Sequence, residues 1–365
     1  MTYLIDANGP AADLSPSGLG RRSFLRMCAA AGIAPGFLTL STKDVLAQAS
    51  EIVLSNWGGD STEVMREVFA APFTAETGIA VSFDSSPLEG RVKAMVDSGS
   101  VIWDVMDLDA FSAIRLGKAG LLRPIDYSVV SGDTIPGSSF EHGVASYMIS
   151  NVLAYNKDLF PDGGPQSWKD FWDVEKFPGK RALYKWAFGS LEAALLADGV
   201  PMDQLYPLDV PRALKKIGEI KDHLILWDSG AESQQMLRSG DVAMANIWSS
   251  RAHYLSKETD GRITFTWNEG IAFNQTWAVP KDNPAGDAVW QFIASTQIPG
   301  RQFALLEKMG VGPVTNQAIA ELPPELTSIN AGSPENMALQ VLINQEWWAD
   351  NYDQALAEFT DFTSN

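Results

Sequence analysis

Short apolar segments alternate with segments of helical periodicity along most of this chain, and this alternation limits the fold more than any other feature. Ile52–Asn56, Ala80–Phe83 and Ile102–Leu108 have the length and apolar content of β-strands. The alternation begins again at Arg181–Tyr184 and reaches Val242–Trp248. Helical periodicity predicts helices at about Ala110–Lys118 and at Ser190–Ala197. Because parallel strands need crossover connections, usually helices, the sequence predicts an α/β fold of two lobes, each a mostly parallel sheet flanked by helices.

The last third of the chain is predicted to change from strands to helices. Two short strands are expected at Ile263–Trp267 and Thr276–Val279, and helices at Asp287–Thr296, Pro299–Met309 and Asn336–Ala357. The length of 365 residues agrees with two domains at ~150 residues each. We therefore expect two lobes followed by a C-terminal helical segment.

The chain is strongly acidic, with 27 Lys and Arg against 45 Asp and Glu and a formal net charge of −18. A nucleic-acid-binding face has to be basic, so this composition argues against a nucleic-acid partner and against an anionic membrane surface. No apolar stretch reaches about 18 residues, so no transmembrane helix is predicted. With one Cys and three scattered His, we expect no metal site and no cofactor.

Residues 1–49 contain the three parts of an export signal. The pair Arg21–Arg22 lies in a charged part, Met27–Leu40 is mostly apolar, and Ala47–Ala49 gives a small-x-small cleavage motif. Paired arginines followed by Phe-Leu resemble the bacterial twin-arginine signal, which implies a periplasmic protein cleaved after the last of these alanines. An ordinary amphipathic helix is the alternative. The lone Cys28 lies inside the signal, so the mature chain would form no disulfide.

The residues that follow the predicted strands are the candidates for a binding site. In open parallel sheets, ligands lie beyond the carboxyl ends of the strands. Those ends carry indole, glycine and charged groups in five segments: Trp57–Gly59, Asp107–Phe111, Lys185–Gly189, Trp227–Asp228 and Trp248–Arg251. We expect these segments to meet at a cleft between the lobes.

An ordered series of short strings extends over roughly residues 50–350. The strings are Asn56–Gly59, Phe73–Ile79, Trp103–Met106, Gly120–Asp126, Asn151–Asn156, Gly240–Trp248 and Gly270–Pro280. In this order and spacing they resemble the spermidine/putrescine (polyamine) binding family, which are periplasmic solute-binding proteins of ABC importers with the type II binding-protein fold (extracellular solute-binding protein family 1). Each string alone is weakly specific, while the ordered series is fairly specific.

The resemblance implies two lobes joined by a hinge that close over a small solute, with an inner-membrane ABC permease as the partner that receives it. Lobe one would hold residues 50–149 and about 275–325, and lobe two residues 150–274. Residues 326–365 would form the C-terminal helical segment. The resemblance also implies a monomer that is not an enzyme.

Matched residue by residue, the resemblance implies a ligand site with aromatic and polar contacts. Trp57 matches an aromatic at the end of the first strand, Asp109 a polar contact position after the third strand, and Phe111 an aromatic next to it. Trp248 matches a Trp that packs on the ligand's methylene groups, and Phe273 matches a second aromatic. These five positions are therefore expected to contact the ligand.

The resemblance fails at the carboxylates with which the family holds a polyamine. Around the position of the first pair in lobe two, this sequence has Lys185 and Trp186, and no acid occurs within Ala182–Leu191. Gln275 occupies the position of a carboxylate beyond the second aromatic. Arg251 follows Trp248 by three residues and is expected to point from a helix start toward the cleft.

These substitutions favour a ligand that carries a carboxylate. A diamine in a dry cleft needs opposite charges, and Arg251 with Lys185 would repel it. The same groups suit a carboxylate, which arginine holds with two parallel hydrogen bonds, while Asp109 and the indole faces would hold an amine. We therefore hypothesise an ω-amino acid or betaine-like zwitterion such as 4-aminobutyrate, with a polyamine as the alternative and Fe³⁺ or sulfate as a distant one.

Some of the candidate groups have simpler structural explanations. Gly58 and Gly59 either offer backbone N–H groups to an anion or only form a tight turn, and Asp107 is expected to have a structural or surface role. An exported hydrolase is the distant alternative function. The motifs H-E-x-x-H and G-x-S-x-G are absent and the mature chain has no cysteine, so a carboxylate pair is the one catalytic arrangement left open.

Overall fold

The computed structural model describes residues 49–364. The predicted twin-arginine signal, including Cys28, lies outside the described residues except for Ala49. Among the helices of the described part, none combines the length and the apolar content needed to cross a bilayer.

The described residues contain ten β-strands, all in one sheet. In chain order they are β1 (Glu51–Asn56), β2 (Ala80–Ser85), β3 (Val105–Asp109), β4 (Ser139–Phe140), β5 (Gly143–Asn156), β6 (Arg181–Tyr184), β7 (Leu224–Trp227), β8 (Met244–Trp248), β9 (Ile263–Ala278) and β10 (Gln340–Leu342). Their order across the sheet is β2-β1-β3-β9-β5-β8-β6-β7, with β10 beside β9 and β4 beside β5.

Helices connect these strands. Within residues 49–364 the α-helices are α1 (Asp60–Met65), α2 (Ala71–Thr77), α3 (Glu89–Ser98), α4 (Ala110–Lys118), α5 (Trp168–Trp172), α6 (Ser190–Ala197), α7 (Val210–Gly218), α8 (Gly230–Ser239), α9 (Ser249–Glu258), α10 (Ala288–Thr296), α11 (Pro299–Met309), α12 (Asn316–Ala320), α13 (Pro334–Met337) and α14 (Gln345–Ser364). A π-helical segment (Arg66–Ala70) joins α1 to α2, and short 3-10 turns lie at Lys157–Leu159, Met202–Gln204, Lys221–His223 and Pro324–Ile329.

Two groups of parallel strands lie on either side of a long antiparallel pair. β1 is parallel to β2 and β3, and β6 is parallel to β7 and β8. Between the groups, β9 pairs with β3 near one end, β5 pairs with β8 near the other, and β5 and β9 pair with each other. The predicted lobe boundaries at 149/150 and 274/275 fall inside these two continuous strands, and the assignment of residues to lobes stays a prediction.

The periodicity predicted several helices to within a residue. α4, α6 and α11 have the predicted bounds, and α10 begins one residue later than predicted. α4 and α6 end beside Gly120 and Gly199, which adopt the left-handed conformation that favours glycine. Local sequence therefore determines these elements.

The predictions for longer-range pairing were partly wrong. The two strands expected at Ile263–Trp267 and Thr276–Val279 belong to the single strand β9. The helix expected at Asn336–Ala357 is divided into α13, β10 and α14, because β10 pairs in parallel with Gly270–Ala272 of β9. β5 was not predicted at all. Its residues are buried from Gly143 to Tyr155, so it has no alternation of polar and apolar residues that could have revealed it.

An aromatic cluster around Phe188 holds the elements of the cleft together. The Phe188 ring lies 4.7 Å from Phe273 of β9 and 5.6 Å from Phe111 of α4, centroid to centroid. It also packs against Tyr184 of β6 at 6.4 Å and Trp348 of α14 at 6.0 Å. Edge-on contacts of this kind are a preferred arrangement of aromatic pairs, so the rings form a continuous packed floor of the cleft.

Candidate functional site

Two indoles meet where β1 and β8 end. Trp57 follows β1 directly and Trp248 is the last residue of β8, so they come from opposite parts of the sheet. Their ring centroids lie 6.1 Å apart with the planes at 60°. Trp248 also packs edge-on against Trp227 and Tyr184, at 5.3 and 5.5 Å. The indole pair therefore forms a wall that joins the two parts of the molecule.

Arg251 reaches across the same region. It lies in the first turn of α9, which begins directly after β8, and it is only 4% exposed. Nη2 lies 3.4 Å from the Gly58 carbonyl oxygen and 3.5 Å from Ser61 Oγ, and Nη1 lies 3.7 Å from Asp60 Oδ2. Nε has no hydrogen-bond partner among residues 49–364. Burial lowers the pKa of Arg251, and the nearby Asp60 opposes this shift. The guanidinium is thus buried with long and incomplete contacts.

Glycines make room for this side chain. A Cβ on Gly230 would lie 2.5 Å from Arg251 Nε and 3.0 Å from the Trp248 ring, so a larger residue would clash there. Gly58 and Gly59 have φ angles of 74° and 62°, in the left-handed region. The Gly58 N–H donates to an asparagine side chain two residues earlier, at 3.2 Å. The geometry favours the tight-turn alternative for this pair, with the Gly58 carbonyl facing Arg251.

A hydrogen-bonded chain leads from Trp57 to Asp109. Trp57 Nε1 donates to Gln275 Oε1 at 2.9 Å, and Gln275 Nε2 donates to Asp109 Oδ1 at 2.6 Å. Burial raises the pKa of Asp109 to about 7, the Gln275 hydrogen bond lowers it, and repulsion from Glu89 raises it further. No cation of the described chain is close enough to lower that pKa. Asp109 is therefore a carboxyl group without a positive partner.

Asp107 lies on the same strand as Asp109 but has a structural environment. It is 1% exposed, and Tyr147 Oη donates to its Oδ2 at 2.9 Å. Ser146 Oγ donates to its other oxygen at 3.4 Å. Burial raises the pKa of Asp107 to about 8, and these hydrogen bonds oppose the shift. The expected structural role of Asp107 agrees with this position behind the cleft.

The side chains described above surround a small cavity, here called the Arg251 cavity. It is lined by Trp57, Ser61, Asp109, Tyr147, Ile149, Trp248, Ser250, Arg251, Phe273, Gln275 and Met309. A larger space of about 1230 Å³, here called the outer groove, adjoins it. Residues that line the outer groove include Leu88, Glu89, Phe111, Arg115, Tyr184, Trp186, Phe188, Asp228 and Tyr352. Trp57, Asp109 and Trp248 line both spaces, so they form the junction.

Most of the residues predicted as ligand contacts come together in these two spaces. Trp57, Asp109, Trp248, Arg251, Phe273 and Gln275 line the Arg251 cavity, and Phe111 and Trp186 line the outer groove. Lys185 differs from the prediction and lines neither space. Its Nζ forms an ion pair with Asp228 at 2.6 Å, and Trp186 Nε1 donates to the same carboxylate at 2.9 Å. Asp228, more than 40 residues away in the chain, therefore neutralises Lys185, which was predicted to contact the ligand.

Three residues of the site were missed. Tyr147 belongs to the unpredicted strand β5, so no local pattern marked it. Ser61 follows the glycine pair in the first turn of α1, where its hydroxyl donates to the Gly58 carbonyl at 2.7 Å and also lies beside Arg251. Gly230 is the first residue of α8. A side chain at this position would clash with residues distant in the sequence, so no local pattern marked it.

Comparison with known proteins gives consistent matches. A family model described as bacterial extracellular solute-binding protein matches residues 69–331. A gamma-aminobutyric acid-binding protein of Pseudomonas aeruginosa is 32% identical over 321 residues, which cover 86% of this chain and 91% of that protein.

Solved structures with the same architecture extend this similarity. An ABC transporter substrate-binding protein from Bradyrhizobium japonicum is 34% identical with a TM-score of 0.81, covering 86% of this chain and 99% of that one. A GABA receptor structure is 33% identical with a TM-score of 0.78, covering 86% and 97%. A spermidine/putrescine-binding protein of Streptococcus pneumoniae, at 19% identity and a TM-score of 0.65, shares the fold alone. The predicted two-lobe α/β fold is confirmed.

Proposed function

Since this chain belongs to the bacterial extracellular solute-binding proteins and is the substrate-binding component of an ABC transporter, we propose that its solute is a small ω-amino acid of the 4-aminobutyrate type. The family resemblance found in the sequence is confirmed at the level of solute-binding proteins of ABC transporters. The relatives bind solutes rather than transform them, and we extend this non-enzymatic role to the present chain.

The incompletely bonded guanidinium of Arg251 is the observation that carries the proposal. An uncompensated charge in a buried site is unfavourable by several kcal/mol, and nearly all buried polar groups have partners. Arg251 has one free donor and two hydrogen bonds of 3.4 and 3.5 Å, all beside a cavity. A carboxylate placed there would form two short, charge-assisted hydrogen bonds with the guanidinium.

A second charged residue of the cavity lining, Asp109, suits an ammonium group. Asp109 has no positive partner, and the Trp57 and Trp248 rings adjoin it in the cavity wall. An ammonium near an indole face gains about 0.5–2 kcal/mol from cation–π attraction. It would also lower the raised pKa of Asp109 and so favour the ionised carboxylate. A molecule with opposite charges at its two ends is therefore complementary to Arg251 and Asp109.

A polyamine is less complementary to the charges of Arg251 and Asp109. It carries positive charges at both ends, and the end beside Arg251 would meet a like charge in a buried site. Gln275 replaces the acid that the polyamine resemblance implies, and it is already engaged with Trp57 and Asp109. The name of the Pseudomonas relative, a gamma-aminobutyric acid-binding protein, supports the same conclusion.

Export and delivery complete the proposal. We propose that a twin-arginine signal directs the chain to the periplasm, that cleavage after Ala49 releases a monomer, and that an inner-membrane permease receives the solute. β1 begins at Glu51, two residues past this cleavage site, so the first strand of the sheet would stay intact. Binding is proposed to close the two lobes through the paired strands β5 and β9.

Isothermal titration calorimetry with two ligands of equal chain length tests the proposal. 4-Aminobutyrate and putrescine share a four-carbon spacing but differ in one charged end. We expect saturable binding of 4-aminobutyrate and at least ~100-fold weaker binding of putrescine, a difference of about 2.7 kcal/mol. Tighter binding of putrescine, or no binding of 4-aminobutyrate, would overturn the proposal.

A further inference from the structure

The Arg251 cavity adjoins a second space that is much larger than a four-carbon amino acid requires. The outer groove has a volume of about 1230 Å³. Sites that hold drug-sized ligands measure about 300–1,000 Å³, so the groove has room for a substantial molecular fragment. Trp57, Asp109 and Trp248 line both spaces, so the groove adjoins the carboxyl group at which the ammonium is expected.

The groove exists while the two parts of the site are already in contact. Trp57 touches Trp248 across the cleft, and Arg251 reaches the Gly58 carbonyl and Ser61 from the opposite side. These contacts join residues near β1 to residues near β8. The groove is therefore present while Trp57 and Arg251 already join the two groups of strands.

The groove wall carries several aromatic rings, and its charged groups other than Asp109 form ion pairs. Tyr184, Trp186, Phe188 and Tyr352 contribute rings. Asp228 is paired with a lysine at 2.6 Å, and Arg115 binds two carboxylates at 2.7 and 3.0 Å. In contrast, Asp109 at the junction has no such partner. The wall thus offers apolar ring surface, and the one carboxylate free to bind a cation lies at its entrance.

We propose that the binding site takes N-substituted ω-amino acids: the carboxylate binds Arg251, a secondary ammonium lies at Asp109 beside Trp57 and Trp248, and an apolar or aromatic N-substituent occupies the outer groove. This inference rests on the proposed function and extends it from one solute to a class. Substituents next to the carboxylate are excluded, because Arg251 is buried and its surroundings are filled by Trp248, Gly230 and Ser61.

Two benzyl isomers of 4-aminobutyrate test the direction of the opening. N-Benzyl-4-aminobutyrate keeps its positive charge and carries the ring on the amine, whereas 2-benzyl-4-aminobutyrate carries the same ring beside the carboxylate. We expect the N-benzyl compound to bind within tenfold of 4-aminobutyrate, and the 2-benzyl isomer to bind more than 100-fold more weakly, both measured by calorimetry.

The outcomes separate this inference from the proposed function. If 4-aminobutyrate binds and the N-benzyl compound loses more than tenfold, the inference is wrong and the proposed function stands. Equal weakening by the two isomers likewise overturns the inference. If 4-aminobutyrate itself fails to bind, the proposed function fails and the inference fails with it.

A variant that fills the groove adds a second measurement. Leu88 lines the groove and is 43% exposed, so Leu88→Trp should place an indole there without disturbing the core. We expect this variant to bind the N-benzyl compound at least tenfold more weakly and 4-aminobutyrate unchanged. Leu339 is equally exposed and lies outside the groove lining, so Leu339→Trp is the matched control and should change neither affinity. Unchanged binding of the N-benzyl compound to a folded Leu88→Trp variant would contradict the proposed location of the substituent.

Discussion

Arg181 and Arg251 are both buried, but their hydrogen-bond partners differ completely. Arg181 is 0% exposed, and its Nε and both Nη atoms donate to four backbone carbonyls within residues 171–179. Arg251 is 4% exposed and has two long hydrogen bonds, one distant carboxylate and a free Nε. The first guanidinium is part of the fold, whereas the second has donors left for a ligand.

The pKa shifts of these two arginines do not distinguish them. Burial lowers the pKa of Arg181 to about 10, and burial also lowers the pKa of Arg251. Desolvation acts on both groups alike, because it depends on how much water each has lost. Only the number and length of the hydrogen bonds separate a structural arginine from a candidate ligand group. The comparison therefore teaches that incomplete hydrogen bonding, rather than burial, marks the site.

The largest expected effect is on stability, in Arg181→Met. The substitution leaves four buried carbonyls without their donor, and each such group costs about 1–3 kcal/mol. We expect the free energy of unfolding to fall by more than about 4 kcal/mol in urea denaturation, with the folded fraction still binding 4-aminobutyrate normally. The half-exposed Arg238, paired with Glu258, provides the control Arg238→Met, which should change stability by less than about 1 kcal/mol. A loss as small as that of the control would mean that Arg181 is not structural.

Arg251→Met should have the opposite profile. Removing the group that holds the carboxylate should weaken 4-aminobutyrate binding by about 2–5 kcal/mol, as measured by calorimetry. The unfolding free energy should stay within about 1 kcal/mol of the wild-type value, because the hydrogen bonds that Arg251 forms with the rest of the protein are long and weak. Arg251→Lys keeps the charge without the two-donor geometry, so its affinity for 4-aminobutyrate should lie between those of the wild type and Arg251→Met. A normal affinity in Arg251→Met, or a stability loss like that of Arg181→Met, would remove the distinction between the two arginines.

The sequence was sufficient to place Arg251 at a helix start beside the sheet edge, but not to reveal the ion pair of Lys185. Arg251 follows a strand end by three residues, which places it at a helix start beside the sheet edge by local rules alone. Lys185 also follows a strand end, yet Asp228 pairs with it from the position directly after β7. Such a pairing depends on the parallel alignment of β6 with β7, which no local pattern reveals. Sequence patterns thus predict which residue type follows a strand, but not whether another residue of the protein already pairs with it.

The same limit applies to the fold. α4 and α6 were predicted to the residue because their periodicity and stop signals are local. β5, which supplies Tyr147, is buried throughout and includes the polar residues Ser146, Ser150 and Asn151, so its sequence has no strand pattern. Two of these residues have partners on other strands: Ser146 Oγ donates to Asp107 at 3.4 Å, and Ser150 Oγ donates to Gln340 of β10 at 2.6 Å. The side chain of Asn151 has no hydrogen-bond partner among residues 49–364. The pairing of β5 with β9 was therefore the part of the sheet that sequence patterns could not predict.

Asp109 has fewer hydrogen bonds than Arg181, and its carboxyl group is expected to titrate in a range where ligand affinity can be measured. It accepts one hydrogen bond from Gln275, and burial raises its pKa to about 7. Binding of an ammonium requires the ionised form, so a proton must leave when the pH is below the pKa of the free protein. We expect the affinity for 4-aminobutyrate to be constant above about pH 7 and to fall up to tenfold for each pH unit below it. Calorimetry between pH 5.5 and 8 measures this slope.

Asp109→Asn should remove that slope and weaken binding at pH 8 by about 1–3 kcal/mol, because the ammonium loses its charged partner. The neighbouring Asp107, whose pKa burial raises to about 8, also titrates in this range while bonded to Tyr147. Any pH dependence that survives in Asp109→Asn therefore reports Asp107. Pentanoate, which has the carboxylate but no amine, should not lose affinity for the wild type as the pH falls, because its apolar end favours the protonated form of Asp109. If the variant and the wild type lost affinity in parallel as the pH fell, Asp109 would not be the partner of the amine, and the site would consist of Arg251 and the indoles alone.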